Sequence, residues 1–130
     1  MKKDLSNIKK AKYLLDNNHC VAIPTETVYG LAANAYSDKA TSKIFKLKKR
    51  PKSNPLIVHY SRVQDLRKDC EINSNFQKLY SKFCPGPLTF VLKLKKESKI
   101  SKNVTNRKNT LAVRFPKNLV TRNLLSYLKY

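Results

Sequence analysis

Residues 23–60 read IPTETVYGLAANAYSDKATSKIFKLKKRPKSNPLIVHY, and this stretch decides the fold. An apolar run, Cys20-Val21-Ala22-Ile23, leads into it and ends at Pro24. Proline has no N–H to give a ladder and biases its predecessor toward extended geometry, so a strand is predicted to end there. Thr25, Thr27 and Tyr29 follow at alternate positions. In an extended segment their hydroxyls share one face, with Glu26 and Val28 on the other. The strand end thereby gains a polar face, at the place where α/β proteins hold ligands.

Working outward, Asp38 to Lys49 is predicted to be a helix, capped by Asp38 or Ser37, with Ala40, Ile44, Phe45 and Leu47 as most of an apolar stripe. Its last turn gathers Lys46, Lys48 and Lys49, which the helix dipole alone would favour. Arg50-Pro51 and Lys52-Ser53-Asn54 come next, then a second apolar run, Pro55-Leu56-Ile57-Val58, ending in His59. Two strand ends and a basic helix exit are therefore expected to converge. Hydroxyl, guanidinium, ammonium, amide and imidazole groups together suit a substrate rich in phosphate and carboxylate.

These residues carry a family resemblance. Pro24-Thr25-Glu26-Thr27-Val28-Tyr29-Gly30-Leu31, Lys48-Lys49-Arg50-Pro51 and Asn54-Pro55-Leu56-Ile57-Val58-His59 resemble successive motifs of the YrdC-like family, the threonylcarbamoyl-AMP synthases. Pro85-Gly86-Pro87-Leu88-Thr89 and Thr110-Leu111-Ala112-Val113-Arg114-Phe115-Pro116 resemble two later ones, in the right order. The resemblance implies an α/β fold, a twisted mixed sheet with packed helices, in one domain over residues 1–130. It implies that L-threonine, bicarbonate and ATP are joined into threonylcarbamoyl-AMP and pyrophosphate for modification of tRNA. Mg2+ is expected to travel with ATP, no residue is assigned as a metal ligand, and tRNA-modification proteins are the implied partners. By the same resemblance Arg50, Asn54 and Thr110 match ATP-binding positions, while Thr27, His59 and Arg114 match positions that hold L-threonine. Lys48 and Arg50 take the catalytic role on the triphosphate. Arg114 suits the threonine carboxylate because it can bind bidentately, which lysine cannot. The sequence departs from the pattern at Lys49, where glycine is common, at Cys84, where tryptophan is common, and in a Ser-x-Asn segment expected after the last helix and not found. That last departure is expected to impair synthase activity in this chain.

Composition bounds these readings. With 130 residues and 41% hydrophobic content, one domain with a real core is expected. No apolar run reaches the length of a membrane span, and no signal-peptide pattern follows Met1, so a cytoplasmic protein without membrane contact is expected. Three cysteines, Cys20, Cys70 and Cys84, fit neither a zinc motif nor a disulfide framework; reduced thiols are expected, with Cys20 in the core. The net charge of +20 makes polyanions natural partners. It supports an alternative from another class, a non-catalytic protein binding double-stranded RNA or the ribosome on the same fold. Lysine and asparagine are frequent throughout, however, and the aromatics fall in apolar patterns and not among basic clusters.

Elsewhere, Asp4 to Asp16 reads as an amphipathic helix, and Ser61 as the cap of a short helix to Lys68. Phe76, Leu79, Tyr80 and Phe83 predict the buried face of a helix over Ser74 to Phe83. Leu88 to Leu94 and Leu111 to Phe115 read as strands, and Lys95 to Asn109 as an exposed, mobile loop. Leu119 to Leu128 reads as a helix with Val120, Leu124, Leu125 and Leu128 on its inner side.

Overall fold

Pro24 does end a strand, but the chain then turns back on itself. A computed structural model describes residues 2–26 and 28–130, and the side chains of 4–26 and 28–130. Val21–Pro24 (β1) and Tyr29–Ala32 (β2) pair as an antiparallel hairpin, with Pro24 opposite Tyr29 and Val21 opposite Ala32. Thr25 closes the turn: its N–H donates to the Val28 carbonyl at 3.1 Å, and its hydroxyl oxygen accepts from the Val28 N–H at 3.2 Å. The extended alternation expected across 25–29 therefore fails, because the turn separates Thr25 from Tyr29. Pro24 falls where the ladder needs no donor from it, and a threonine side chain bonds readily to nearby backbone, so both residues suit a hairpin.

Two helices pack on this hairpin, Lys2–Asp16 (α1) and Leu119–Tyr127 (α6). Ile8, Leu15, Val21, Ile23 and Leu124 form their shared core. Asn118 caps α6, accepting from Val120 and Thr121 N–H groups, and the Thr121 hydroxyl donates to the Pro24 carbonyl. That bond turns Thr121 inward, 1% exposed, and leaves Val120 outward at 53%, which corrects the expected inner side of the helix.

Ile57–His59 (β3), Thr89–Lys93 (β4) and Thr110–Arg114 (β5) make a second, mixed sheet in the order β3-β5-β4. β3 runs parallel to β5 and β4 antiparallel to it. Period-two alternation along β5 decides what each face does: Leu111, Val113 and the following Phe115 are buried, while Thr110, Ala112 and Arg114 face the other way. Val63–Leu66 (α3), Ser74–Phe83 (α4) and Lys102–Thr105 (α5) supply Leu66, Phe76 and Val104 to the buried face. Each such side chain contributes about 1.5–3 kcal/mol.

The expected face of α4 is narrower than its periodicity suggests. Phe76 meets Phe90 at 4.8 Å between ring centroids and Tyr80 meets Phe115 at 4.9 Å, but Leu79 and Phe83 stay exposed. The helix touches the sheet along one row. The region 95–109 departs more. It contains α5 and buries Ile100, Ser101, Val104 and Thr105; Ser101 N–H donates to Ala35 and Val104 accepts from Leu56 N–H, each at 2.9 Å. A four-residue helix is too short to leave a period in the sequence. Other expectations also shift: Arg62, not Ser61, is the cap of α3, and Cys70 is the fully buried cysteine while Cys20 is half-buried.

Asp38–Leu47 (α2) packs against α5. Ser37 caps it, accepting from Ala40 N–H at 3.1 Å, and Leu47 is exposed although the stripe placed it inward. At the exit Lys49 N–H donates to Lys46 and Arg50 N–H donates to Phe45, with Lys49 left-handed at φ 49°. This is the double-bonded helix end that favours glycine at the left-handed position. Among the described residues no helix is long and apolar enough to cross a membrane.

Candidate functional site

Between the two cores lies a cleft of about 280 Å³. Gly30, Leu31 and Ala32 of β2 line one side and Ile57, Val58 and His59 of β3 the other, with Lys48 and Arg50 also on its wall. The floor is apolar, including Leu15, Ile44 and Leu124, so polar groups entering it are partly desolvated.

His59 sits at the end of β3, in register with Arg114 on β5, which is in turn in register with Thr89 on β4. Residues in register on neighbouring strands share a face, so the three stand side by side. The Arg114 guanidinium is aimed by Thr89, whose hydroxyl oxygen accepts from Nε at 3.1 Å and Nη2 at 2.7 Å. That leaves its outer edge for another acceptor. The Nε2 atom of His59 is buried and has no hydrogen-bond partner. Burial and the Arg114 charge push the imidazole below its ordinary pKa, against a bond to the Ile57 carbonyl and the Glu26 charge, so the ring is neutral at pH 7. A neutral imidazole with one buried nitrogen unspent is poised for a polar ligand.

Glu26, expected on the far face of an extended segment, comes near this pair because the hairpin tip folds toward it. Burial raises its pKa, but bonds from the N–H groups of Lys117 and Glu26 itself, and the charge of Arg114, outweigh that and lower it. It remains an anion beside Arg114. Thr27 lies outside the described residues.

At the other end of β3 the cations gather. Lys48 ends α2, and Arg50 donates from Nε to the Asn54 carbonyl at 3.2 Å and from Nη2 to the Pro55 carbonyl at 2.7 Å. Part of the Arg50 guanidinium is thus spent on shaping the loop into β3. Asn54, Thr110 and Arg114 do not line the cleft; Asn54 is exposed beside Arg50, Thr110 opens β5, and Arg114 ends it in register with His59, which does line the cleft. Four strand steps separate Thr110 from Arg114, about 13 Å. Among the described residues no three His, Cys, Asp or Glu side chains come together to hold a metal ion.

Motif matching did not single out Asp69. It is 2% exposed and accepts from Tyr36 Oη at 2.5 Å, Tyr60 Oη at 2.8 Å and Ser98 Oγ at 2.7 Å. Burial, followed by the Asp69 interactions, raises both tyrosine pKa values, so both stay protonated donors. Tyr36 and Tyr60 line the cleft, and this carboxylate fixes them. No local sequence signal marks it, since its partners lie 33, 9 and 29 residues away.

The chain is similar to known proteins over most of its length. Threonylcarbamoyl-AMP synthase of Bacillus subtilis is 43% identical over 112 residues, covering 84% of this chain and 32% of that protein. The crystal structure of Pyrococcus abyssi Sua5 complexed with L-threonine superposes with a TM-score of 0.88 at 37% identity, covering 93% of this chain and 35% of that one. Escherichia coli YciO shares the fold, with a TM-score of 0.80 at 20% identity over 93% of this chain and 58% of its own. The chain spans about a third of the length of the first curated relatives it matches. Residues 13–130 match the sequence model of the Sua5/YciO/YrdC group, described as telomere recombination, and the chain belongs to that family.

Proposed function

We propose that this domain takes part in forming threonylcarbamoyl-AMP from L-threonine, bicarbonate and ATP, on the route to threonylcarbamoyl-modified tRNA. The observation that carries the reading is the unpartnered, buried Nε2 of His59 beside an Arg114 already aimed by Thr89. The amino-acid carboxylate binds Arg114 and a polar group of threonine satisfies His59, with Thr27 as a further threonine-binding residue. Lys48 and Arg50 receive the triphosphate at the other end of β3, with Asn54 and Thr110 on the nucleotide side.

The chemistry asks mainly for positioning and charge neutralisation. The threonine amine takes up bicarbonate with loss of water to give a carbamate. A carbamate oxygen attacks the α-phosphorus in line, and the bond to pyrophosphate breaks. Lys48 and Arg50 neutralise the departing phosphates. Mg2+ accompanying ATP would add to the neutralisation that Lys48 and Arg50 supply to those phosphates.

Calorimetric titration of L-threonine into the chain and into His59→Gln tests the reading. A loss of tenfold or more in affinity is expected, and equal affinities would overturn it. Titrating ATP into Arg50→Lys tests the phosphate side; weaker binding is expected with the charge kept, because the fork geometry is lost. The net charge of +20 favours a second reading, RNA binding without catalysis. It predicts salt-dependent RNA affinity that His59→Gln leaves untouched, with no measurable L-threonine binding.

A further inference from the structure

Asp69 is a buried acid that the proposed chemistry does not use, and hydroxyl groups from three separate segments converge on it. Its Oδ2 accepts from Tyr36 Oη at 2.5 Å and from Tyr60 Oη at 2.8 Å, and its Oδ1 accepts from Ser98 Oγ at 2.7 Å. The backbone is held as firmly: Asp69 N–H donates to Leu66 at 2.9 Å, where α3 ends, and the Asp69 carbonyl accepts from Lys95 N–H at 2.7 Å. Burying a carboxylate is costly, and a well-packed apolar group of the same volume would serve stability as well. What a fully bonded carboxylate adds is direction, because its lone pairs fix where each hydroxyl lies.

Of the three donors, Tyr60 is the one that reaches the amino-acid site. It follows His59 in the chain, its N–H donates to the Arg114 carbonyl at 3.0 Å, and its ring lies 6.3 Å from that of Phe115, the residue after Arg114. Tyr60 points into the core, and strand alternation puts His59 on the other face, in register with Arg114. β3 is three residues long and takes its ladder from β5. Such short strand ends fray, and a rotation of the chain at Tyr60 would swing His59 out of line with Arg114. We propose that Asp69 is a positioning residue for the amino-acid site: by holding the Tyr60 hydroxyl it fixes the end of β3, and with it the placement of His59 Nε2 against Arg114. Ser98 bonds to the same carboxylate from the segment after β4 and lies outside β3, so it separates positioning from plain stability. The inference rests on the reading of His59 and Arg114 as the threonine-binding pair for its ligand, and on the hydrogen bonds for the rest.

The test compares Tyr60→Phe, which removes one hydroxyl, Asp69→Asn, which keeps the shape, and Ser98→Ala, which removes a bond to the same carboxylate away from β3. L-Threonine affinity is read by calorimetry, the His59 imidazole by its nitrogen NMR shifts, and folding by the melting temperature. All three variants are expected to melt below the parent chain. Tyr60→Phe and Asp69→Asn are expected to weaken L-threonine binding about tenfold and to shift the His59 nitrogens, with the double variant no weaker than the worse single one. Ser98→Ala is expected to stay within about twofold of the parent, with the His59 shifts unmoved. Unmoved His59 shifts in Tyr60→Phe and Asp69→Asn would overturn the proposal, and so would equal changes in Ser98→Ala, because Asp69 would then add stability alone. Where the parent binds L-threonine, an unchanged affinity in Tyr60→Phe and Asp69→Asn overturns it as well. A parent chain that binds no L-threonine overturns the threonine reading instead, and the His59 shifts then decide by themselves whether Asp69 positions the pair.

Discussion

The two faces of β5 are made from one run of six residues, Thr110–Phe115, yet they answer to different demands. Leu111, Val113 and Phe115 are 1%, 0% and 3% exposed and sit under three helices. Thr110, Ala112 and Arg114 alternate with them on the opposite, half-buried face, where Arg114 holds its place through one threonine. One face is saturated with contacts, and the other keeps groups unspent. The difference teaches that stability and recognition can be separated here by substituting neighbouring residues of a single strand.

The largest effect is expected on the saturated face. Phe115 packs against Tyr60, Phe76, Tyr80 and Phe90, with ring centroids between 4.9 and 6.5 Å. Phe115→Ala is expected to lower unfolding free energy by about 3–5 kcal/mol, read from urea denaturation. A loss below about 1 kcal/mol would break the comparison, because the face could then not be well packed. One position earlier, Arg114→Lys is expected to weaken L-threonine binding about tenfold, about 1.4 kcal/mol, while changing stability by less than about 0.5 kcal/mol. Stability falling as far as for Phe115→Ala would erase the distinction between the faces.

A third, smaller effect is pH dependence. The His59 pKa is depressed in the folded chain, so the folded state binds fewer protons than the unfolded one as pH falls below about 6.5. The contribution of His59 to stability is therefore present above that value and lost as pH falls through the folded pKa. Imidazole shifts followed by NMR should show His59 titrating below the ordinary range. L-threonine affinity should hold steady from pH 8 down to about 6.5 and fall below it. A His59 that titrates above 6.5 would mean that its ring is solvated or paired with Glu26 more strongly than with the fold.

How much of this was legible in the sequence differs between the same two faces. Strong periodicity gave α1, α2, α4 and the alternation of β5, because long apolar patterns report directly on burial. The hairpin was hidden: Pro24 marks a strand end whether the chain continues or reverses, and only the Thr25 to Val28 bonds distinguish the cases. α5 is four residues long and carries no period. Within the site, His59 and Arg114 stood in motifs, but Asp69 and Glu26 gain their roles from residues distant in sequence. Thr89 was within a recognised motif, and its function became visible only as the register partner of Arg114.

The smallest effect sharpens the comparison at the mouth of the cleft, where α2 delivers Lys48 and Arg50. Lys49 occupies the left-handed position of the helix end at φ 49°, and an L side chain there costs roughly 1–2 kcal/mol relative to glycine in the folded state. Glycine returns part of that difference by loosening the unfolded chain, about 0.4–1 kcal/mol. Lys49→Gly is therefore expected to stabilise the protein by about 0.5–1 kcal/mol, raising Tm by about 2–4 °C. The bonds from Lys49 to Lys46 and from Arg50 to Phe45 are backbone bonds and survive the change, so Arg50 keeps its place. ATP affinity at moderate salt should fall only by the small screened contribution of one exposed charge. A drop comparable to that of Arg50→Lys would show that Lys49 itself contacts phosphate, and that its side chain stands in place of glycine because the site uses it. A lower Tm would instead show that the helix does not end in the left-handed geometry on which Arg50 depends.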